Sequence, residues 1–116
     1  MSAGLTVRWA LGHANPEIAQ ALRDYVSESS HARFEQLEGL HFKTWRMREG
    51  EWFEGNYVFV DDAARSAFAA QFAPAAAESP VSKLTGAAPI LIEESEIVSI
   101  AIGPERAVSK PTGERG

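Results

Sequence analysis

The sequence predicts an α+β fold of the ferredoxin-like type, β-α-β-β-α-β, with one antiparallel sheet and two helices on one of its faces. Three observations carry this reading. Apolar residues alternate near both ends of the chain, two further alternating stretches meet at a Glu-Gly turn in the middle, and the segments between them carry apolar residues at helical spacing. A length of 116 residues suits one domain. We assign that domain to 1–103 and read 104–116 as a polar tail, flexible or lying as an arm on a dimer partner.

The elements follow in order. Leu5, Val7, Trp9 and Leu11 alternate with Thr6, Arg8 and Ala10, which is the period of a strand. Asn15-Pro16 reads as an N-cap followed by proline at the first helical position. Ile18, Ala21, Leu22, Tyr25 and Val26 then form an apolar helical stripe that fades at Ser29-Ser30, and His31–Glu38 fits either a further helical turn or a loop. Strands over Leu40–Arg48 and Glu51–Val60 form a hairpin about Glu49-Gly50. Asp61 or Asp62 caps a helix that runs to about Phe72 and ends at Pro74. Ser79-Pro80 starts a short helix that Gly86 closes. The last strand spans Pro89–Ile102, with a bulge near Glu94-Ser95.

Charge and composition narrow the function. Hydrophobic residues are 45% of the chain and charged residues 23%, as in an ordinary globular protein. A formal net charge of −5 opposes nucleic-acid binding, which depends on neutralising phosphates. No apolar run approaches the roughly 18 residues that span a membrane. The absence of cysteine excludes disulfides, thiolate nucleophiles and Cys-ligated metal. The start of the chain lacks a signal-peptide pattern, so the expected location is the cytoplasm.

A two-residue turn at Glu49-Gly50 sets Arg48 against Glu51, Trp45 against Glu54 and Phe42 against Tyr57. One hairpin face then carries Phe42, Thr44, Phe53, Gly55, Tyr57 and Phe59 towards the helices. The other carries His41, Lys43, Trp45, Asn56 and Val58 towards solvent, an interface or a polar pocket. A slip of one residue would exchange these sets.

Three stretches resemble the YdhR-type monooxygenase family: Leu5–Leu11, Gly39-Leu40-His41-Phe42-Lys43-Thr44-Trp45, and Glu54-Gly55-Asn56-Tyr57-Val58-Phe59-Val60-Asp61. Lys43-x-Trp45 and Gly55-x-Tyr57-x-Phe59 match its motifs, while Glu54 stands where a second glycine is common. The resemblance covers about Leu5–Gly103. It implies the dimeric α+β barrel superfamily, in which two ferredoxin-like subunits join their sheets. Members of that superfamily include cofactor-free monooxygenases, haem-degrading oxygenases, cyclases, isomerases and pure binding domains, so the fold does not settle the reaction.

The resemblance implies a cofactor-free monooxygenase that oxidises an electron-rich aromatic small molecule with dioxygen. A cyclase or isomerase on the same scaffold, and a non-catalytic small-molecule-binding dimer, are the alternatives. The reaction needs a base, an apolar pocket and a donor for the developing anion. A histidine with its ordinary pKa of about 6.5 suits the base at neutral pH. The candidate catalytic residues are His41, on a strand, and Tyr57, marked by the family-like motif. Trp9, Phe42 and Trp45 are candidates to stack on a planar substrate, and Arg8, Asn56 and His13 to hold its polar groups. No cofactor and no metal are expected. No histidines stand at i, i+2 or i, i+4, and the helix over Asp62–Phe72 lacks the histidine that haem-degrading relatives use. The expected partners are a small, aromatic substrate and a second copy of the chain, with neither nucleic acid nor membrane.

Overall fold

The computed structural model describes residues 2–105. The order is β1 (Ala3–Ala10), α1 (Ile18–Tyr25), a π-helical segment (Val26–Ser30), α2 (His31–Glu35), β2 (Leu40–Arg48), β3 (Trp52–Phe59), α3 (Asp62–Ala75), a 3-10 turn (Ala76–Glu78), α4 (Pro80–Thr85) and β4 (Leu91–Glu96). The strands form one sheet in the order β2-β3-β1-β4, and every neighbouring pair is antiparallel. This is the predicted ferredoxin-like α+β fold. Of the tail, all but Pro104 and Glu105 lie outside the described residues. Among the described residues no helix is long and apolar enough to cross a membrane.

Alternation in β1 decides the core. Leu5, Val7 and Trp9 point to the helices and join Ile18, Leu22, Val26, Phe34, Phe53, Tyr57, Phe59 and Val81. Thr6 and Arg8 point to the other face of the sheet, where Glu54 is fully buried between Arg8 and Arg46. Among the described residues no helix lies over that face.

Several boundaries differ from expectation. Asn15 does not cap α1: it accepts from the Glu17 amide at 2.8 Å in a turn that precedes the helix. The helical path continues through Ser29-Ser30 as π-helix and ends in α2, so the ambiguous segment is helical over His31–Glu35. Asp61, not Asp62, caps α3 by accepting from the Ala64 amide. Pro74 sits inside the last turn of α3 and does not end it. Ser79, Pro80 and Gly86 bound α4 as expected. β4 is shorter than predicted: its ladder with β1 ends at the Ala3–Glu96 pair, beyond which the Ile97 amide donates to the Ser2 carbonyl. Its register is continuous through Glu94 and Ser95, so there is no bulge there.

The largest difference is the hairpin register. Arg48 pairs with Trp52, Trp45 with Gly55 and Lys43 with Tyr57, one residue away from the expected pairing. The reason lies in the turn. A two-residue hairpin loop needs positive φ at its first position, and that position is Glu49. Glycine comes second here: Gly50 has φ +78°, and the Glu51 amide closes the turn on the Arg48 carbonyl at 2.9 Å, as in a type II turn. Three residues therefore lie outside the ladder. The slip turns Lys43, Trp45 and Met47 towards the helices and leaves Phe42, Thr44 and Arg46 on the open face. A register shift between Leu40 and Phe42 makes His41 the extra residue of a bulge.

Candidate functional site

A cavity of about 400 Å³ lies between the helix-facing side of the sheet and the helices. Trp9, Phe53 and Tyr57 floor it from β1 and β3, and Lys43 and Trp45 from β2. Phe34 of α2 and Phe68 and Phe72 of α3 wall it, and Arg33, Gln71 and Glu78 supply its charged and polar rim. The π-helical segment matters here, because its extra residue per turn shifts the following turn relative to α1. Ser30 and Phe34 thereby reach the cavity from the same helical path as Tyr25.

The aromatic side chains are mutually packed. Phe34 meets Trp45, Tyr57 and Phe68 edge-on, at centroid distances of 6.1, 5.5 and 6.0 Å. Such edge contacts match the positive rim of one ring to the negative face of the next. Trp9 has its indole N–H tied to Ser82 Oγ at 2.9 Å, which fixes the floor against α4.

Lys43 brings a basic side chain into this aromatic interior. Its Nζ lies 3.5 Å from the Phe34 ring centroid, 4.2 Å from that of Tyr57 and 4.5 Å from that of Trp45. It donates a hydrogen bond to Tyr57 Oη at 3.1 Å. Among the described residues it forms no ion pair with a carboxylate. Burial, and then the positive charge of Arg33, hold its pKa well below the ordinary lysine value. Ring faces favour the ammonium, but they bring no counter-charge. Burial also raises the Tyr57 phenol above its ordinary value, outweighing the Arg33 charge, so Tyr57 stays protonated.

Gly55 makes room for this lysine. A Cβ at Gly55 would stand 3.0 Å from Lys43 Cε and 3.3 Å from the Tyr57 ring. The matched motif pieces, Lys43-x-Trp45 and Gly55-x-Tyr57, are thus two sides of one contact.

The structure brings three of the sequence-predicted residues to the cavity: Trp9, Trp45 and Tyr57. Arg8, Phe42 and Asn56 are on the opposite face of the sheet. There Arg8 binds Glu54 at 2.7 Å with its guanidinium 4.4 Å from the Trp52 ring, and Asn56 donates to Glu54 at 2.9 Å and accepts from Thr6. Glu54 is held below its ordinary pKa because these hydrogen bonds, with that of Arg46, outweigh its desolvation. Phe42 is half-exposed there because the register slip reverses its direction. His41 is exposed on the bulge, and His13 is exposed in the turn after β1; neither lines the cavity. Sequence reasoning missed Lys43. Glu49-Gly50 fits a two-residue and a three-residue loop alike, so the register that turns Lys43 inward was not legible in it. His31 was missed too: it stacks on Trp45 at 5.6 Å.

No protein-family profile matches the chain, and no curated protein matches it, so the YdhR-type resemblance rests on the residues quoted for it. Solved structures share the fold, among them these two. One is the NE2512 protein of unknown function from Nitrosomonas europaea, at TM-score 0.67 and 22% identity, covering 88% of this chain and 94% of that one. The other is a monooxygenase from the gene ActVA-Orf6 of Streptomyces coelicolor, in complex with nanaomycin D, at TM-score 0.63 and 13% identity, covering 88% of this chain and 92% of that one. The chain therefore has a ferredoxin-like scaffold similar to that of a ligand-binding monooxygenase.

Proposed function

We propose that this protein is a cofactor-free monooxygenase of electron-rich aromatic small molecules, working as a homodimer. One observation carries the proposal: a lysine amine and a phenol hydrogen-bond to each other inside an aromatic cavity of about 400 Å³. The volume suits a small planar ligand. The monooxygenase that shares the scaffold, crystallised with nanaomycin D, supports the same reading.

Lys43 takes the place that sequence reasoning gave to His41. As a free amine it accepts the proton of a phenolic substrate, and the Tyr57 hydroxyl hydrogen-bonds the resulting phenolate. The phenolate passes one electron to dioxygen, and the two radicals combine to a peroxide at the para carbon. The Lys43 ammonium returns its proton to the peroxide. The ring hydrogen at that carbon leaves as a proton while the O–O bond breaks, the outer oxygen departing as hydroxide; together they make one water, so phenol and dioxygen become quinone and water. Trp9, Trp45 and Phe34 keep the ring flat and water out.

Dimerisation is inferred from the uncovered sheet face, where half-exposed Phe42 and Trp52 flank the Glu54 ion cluster. Oxygen uptake by the purified protein with phenol and anthrone substrates tests the reaction, and light scattering tests the dimer. Uptake that falls in Lys43→Met and Tyr57→Phe is the expected result. Ligand binding without oxygen uptake would replace the oxygenase by a binding protein, and rearranged product without uptake by an isomerase.

A further inference from the structure

Lys43 is placed to do more than accept a proton. Its amine opens onto a cavity, lacks a carboxylate partner among the described residues, and touches a phenol that can both give and take a proton. An amine desolvated by apolar walls and set near another cation is the arrangement that turns lysine into a nucleophile. Here the walls are Phe34, Trp45 and Tyr57, and the cation is Arg33. Lys83, by contrast, is exposed on α4.

We propose that the Lys43 amine captures aromatic aldehydes and ketones that enter this cavity, forming an imine. The nitrogen lone pair attacks the carbonyl carbon, and one proton of the nitrogen passes to the carbonyl oxygen to give a neutral carbinolamine. The carbon–oxygen bond then breaks. The Tyr57 hydroxyl gives its proton to the leaving hydroxyl and takes the proton that the nitrogen releases. One water leaves, the carbon–nitrogen double bond forms, and no oxidant or reductant is consumed. The aromatic walls select a carbonyl attached to a planar ring, and Gly55 leaves the lysine stem its path to the phenol.

This proposal rests on the reading of the cavity as a ligand site, but not on the oxygenase reaction. The test is reductive trapping: the full chain is incubated with naphthaldehyde and cyanoborohydride near neutral pH, and the adduct is located by intact mass and peptide mapping. The expected product is a single adduct on Lys43, formed about tenfold or more faster than on Lys83, Lys110 or the α-amino group. Lys43→Arg, shown folded by its thermal melt, loses that adduct, whereas Lys83→Arg keeps it. Tyr57→Phe still labels at Lys43, but more slowly. Labelling spread evenly over the three lysines and the α-amino group overturns the capture, and an unchanged rate in Tyr57→Phe overturns the proton relay. Lys43 labelling without oxygen uptake overturns only the oxygenase reading, and oxygen uptake without Lys43 labelling overturns only this one.

Discussion

Lys43 and Tyr57 stand directly across the β2–β3 ladder, and the lysine amine donates to the tyrosine hydroxyl at 3.1 Å inside an aromatic cavity. Residues directly opposite on one sheet face are the closest side-chain neighbours a sheet provides. The ladder therefore sets the two side chains on the same face as direct neighbours, and removing either member has separate, measurable consequences.

Lys43 lowers stability near neutral pH. Its pKa is depressed in the folded protein, so from that depressed value up to lysine's ordinary value of 10.5 the unfolded chain binds the proton that the fold excludes. Stability contributed by this group therefore rises with pH across that window. Lys43→Met removes the penalty. We expect it to melt above the wild type near neutral pH, with the gap closing as pH approaches 10.5. Thermal melts of both proteins over that range check this, and a constant gap would contradict it.

Tyr57→Phe keeps the ring that packs on Phe34, Phe59 and Phe68 and removes only the oxygen. Its stability should change by about 1 kcal/mol, the usual net worth of one hydrogen bond. If the proposed reaction occurs, turnover should fall by about tenfold or more, because the developing anion loses its donor. His41→Ala, on the exposed bulge, should leave turnover unchanged. Steady-state kinetics of the two variants, side by side, separate Tyr57 from His41.

Gly55→Ala places a methyl 3.0 Å from Lys43 Cε, closer than ordinary contact allows. The lysine stem is flexible and gives way, so the fold survives at a cost of about 1 kcal/mol. The amine moves off Tyr57, and activity should drop while secondary structure stays intact. Circular dichroism together with an activity assay reads both effects.

Glu54 works in the opposite sense to Lys43. Its folded pKa is lowered, so its stabilisation is present above the ordinary carboxylate range and is lost as pH falls through the depressed value. Glu54→Leu leaves Arg8 and Arg46 without their shared partner and should cost about 2–4 kcal/mol near neutral pH. The variant's deficit should shrink on acidification. Urea melts at neutral and acid pH measure it.

Phe42→Glu adds a charge to the uncovered sheet face, away from the cavity lining. If this face joins two copies, the variant is a monomer by light scattering and its cavity still binds ligand. A dimer of unchanged strength would move the interface elsewhere.

Much of the fold was legible because its signals are local. The alternation of Leu5, Val7 and Trp9, the Asp61 cap and the Ser79-Pro80 start with Gly86 at the close each act within a few residues. Tyr57 and Trp45 could likewise be picked from short motifs. The side of the sheet that each β2 residue faces could not be read from alternation alone, because a period of two fits either register equally well. The positive φ at Gly50, the bulge at His41 and the burial of Phe53, Tyr57 and Phe59 against the helices decided it together. By itself, then, the sequence determined the element order and an aromatic-rich hairpin. Only the tertiary structure decided that Lys43 turns inward to Tyr57 while His41 and Phe42 turn away, because that choice depends on contacts between strands and helices far apart in the chain.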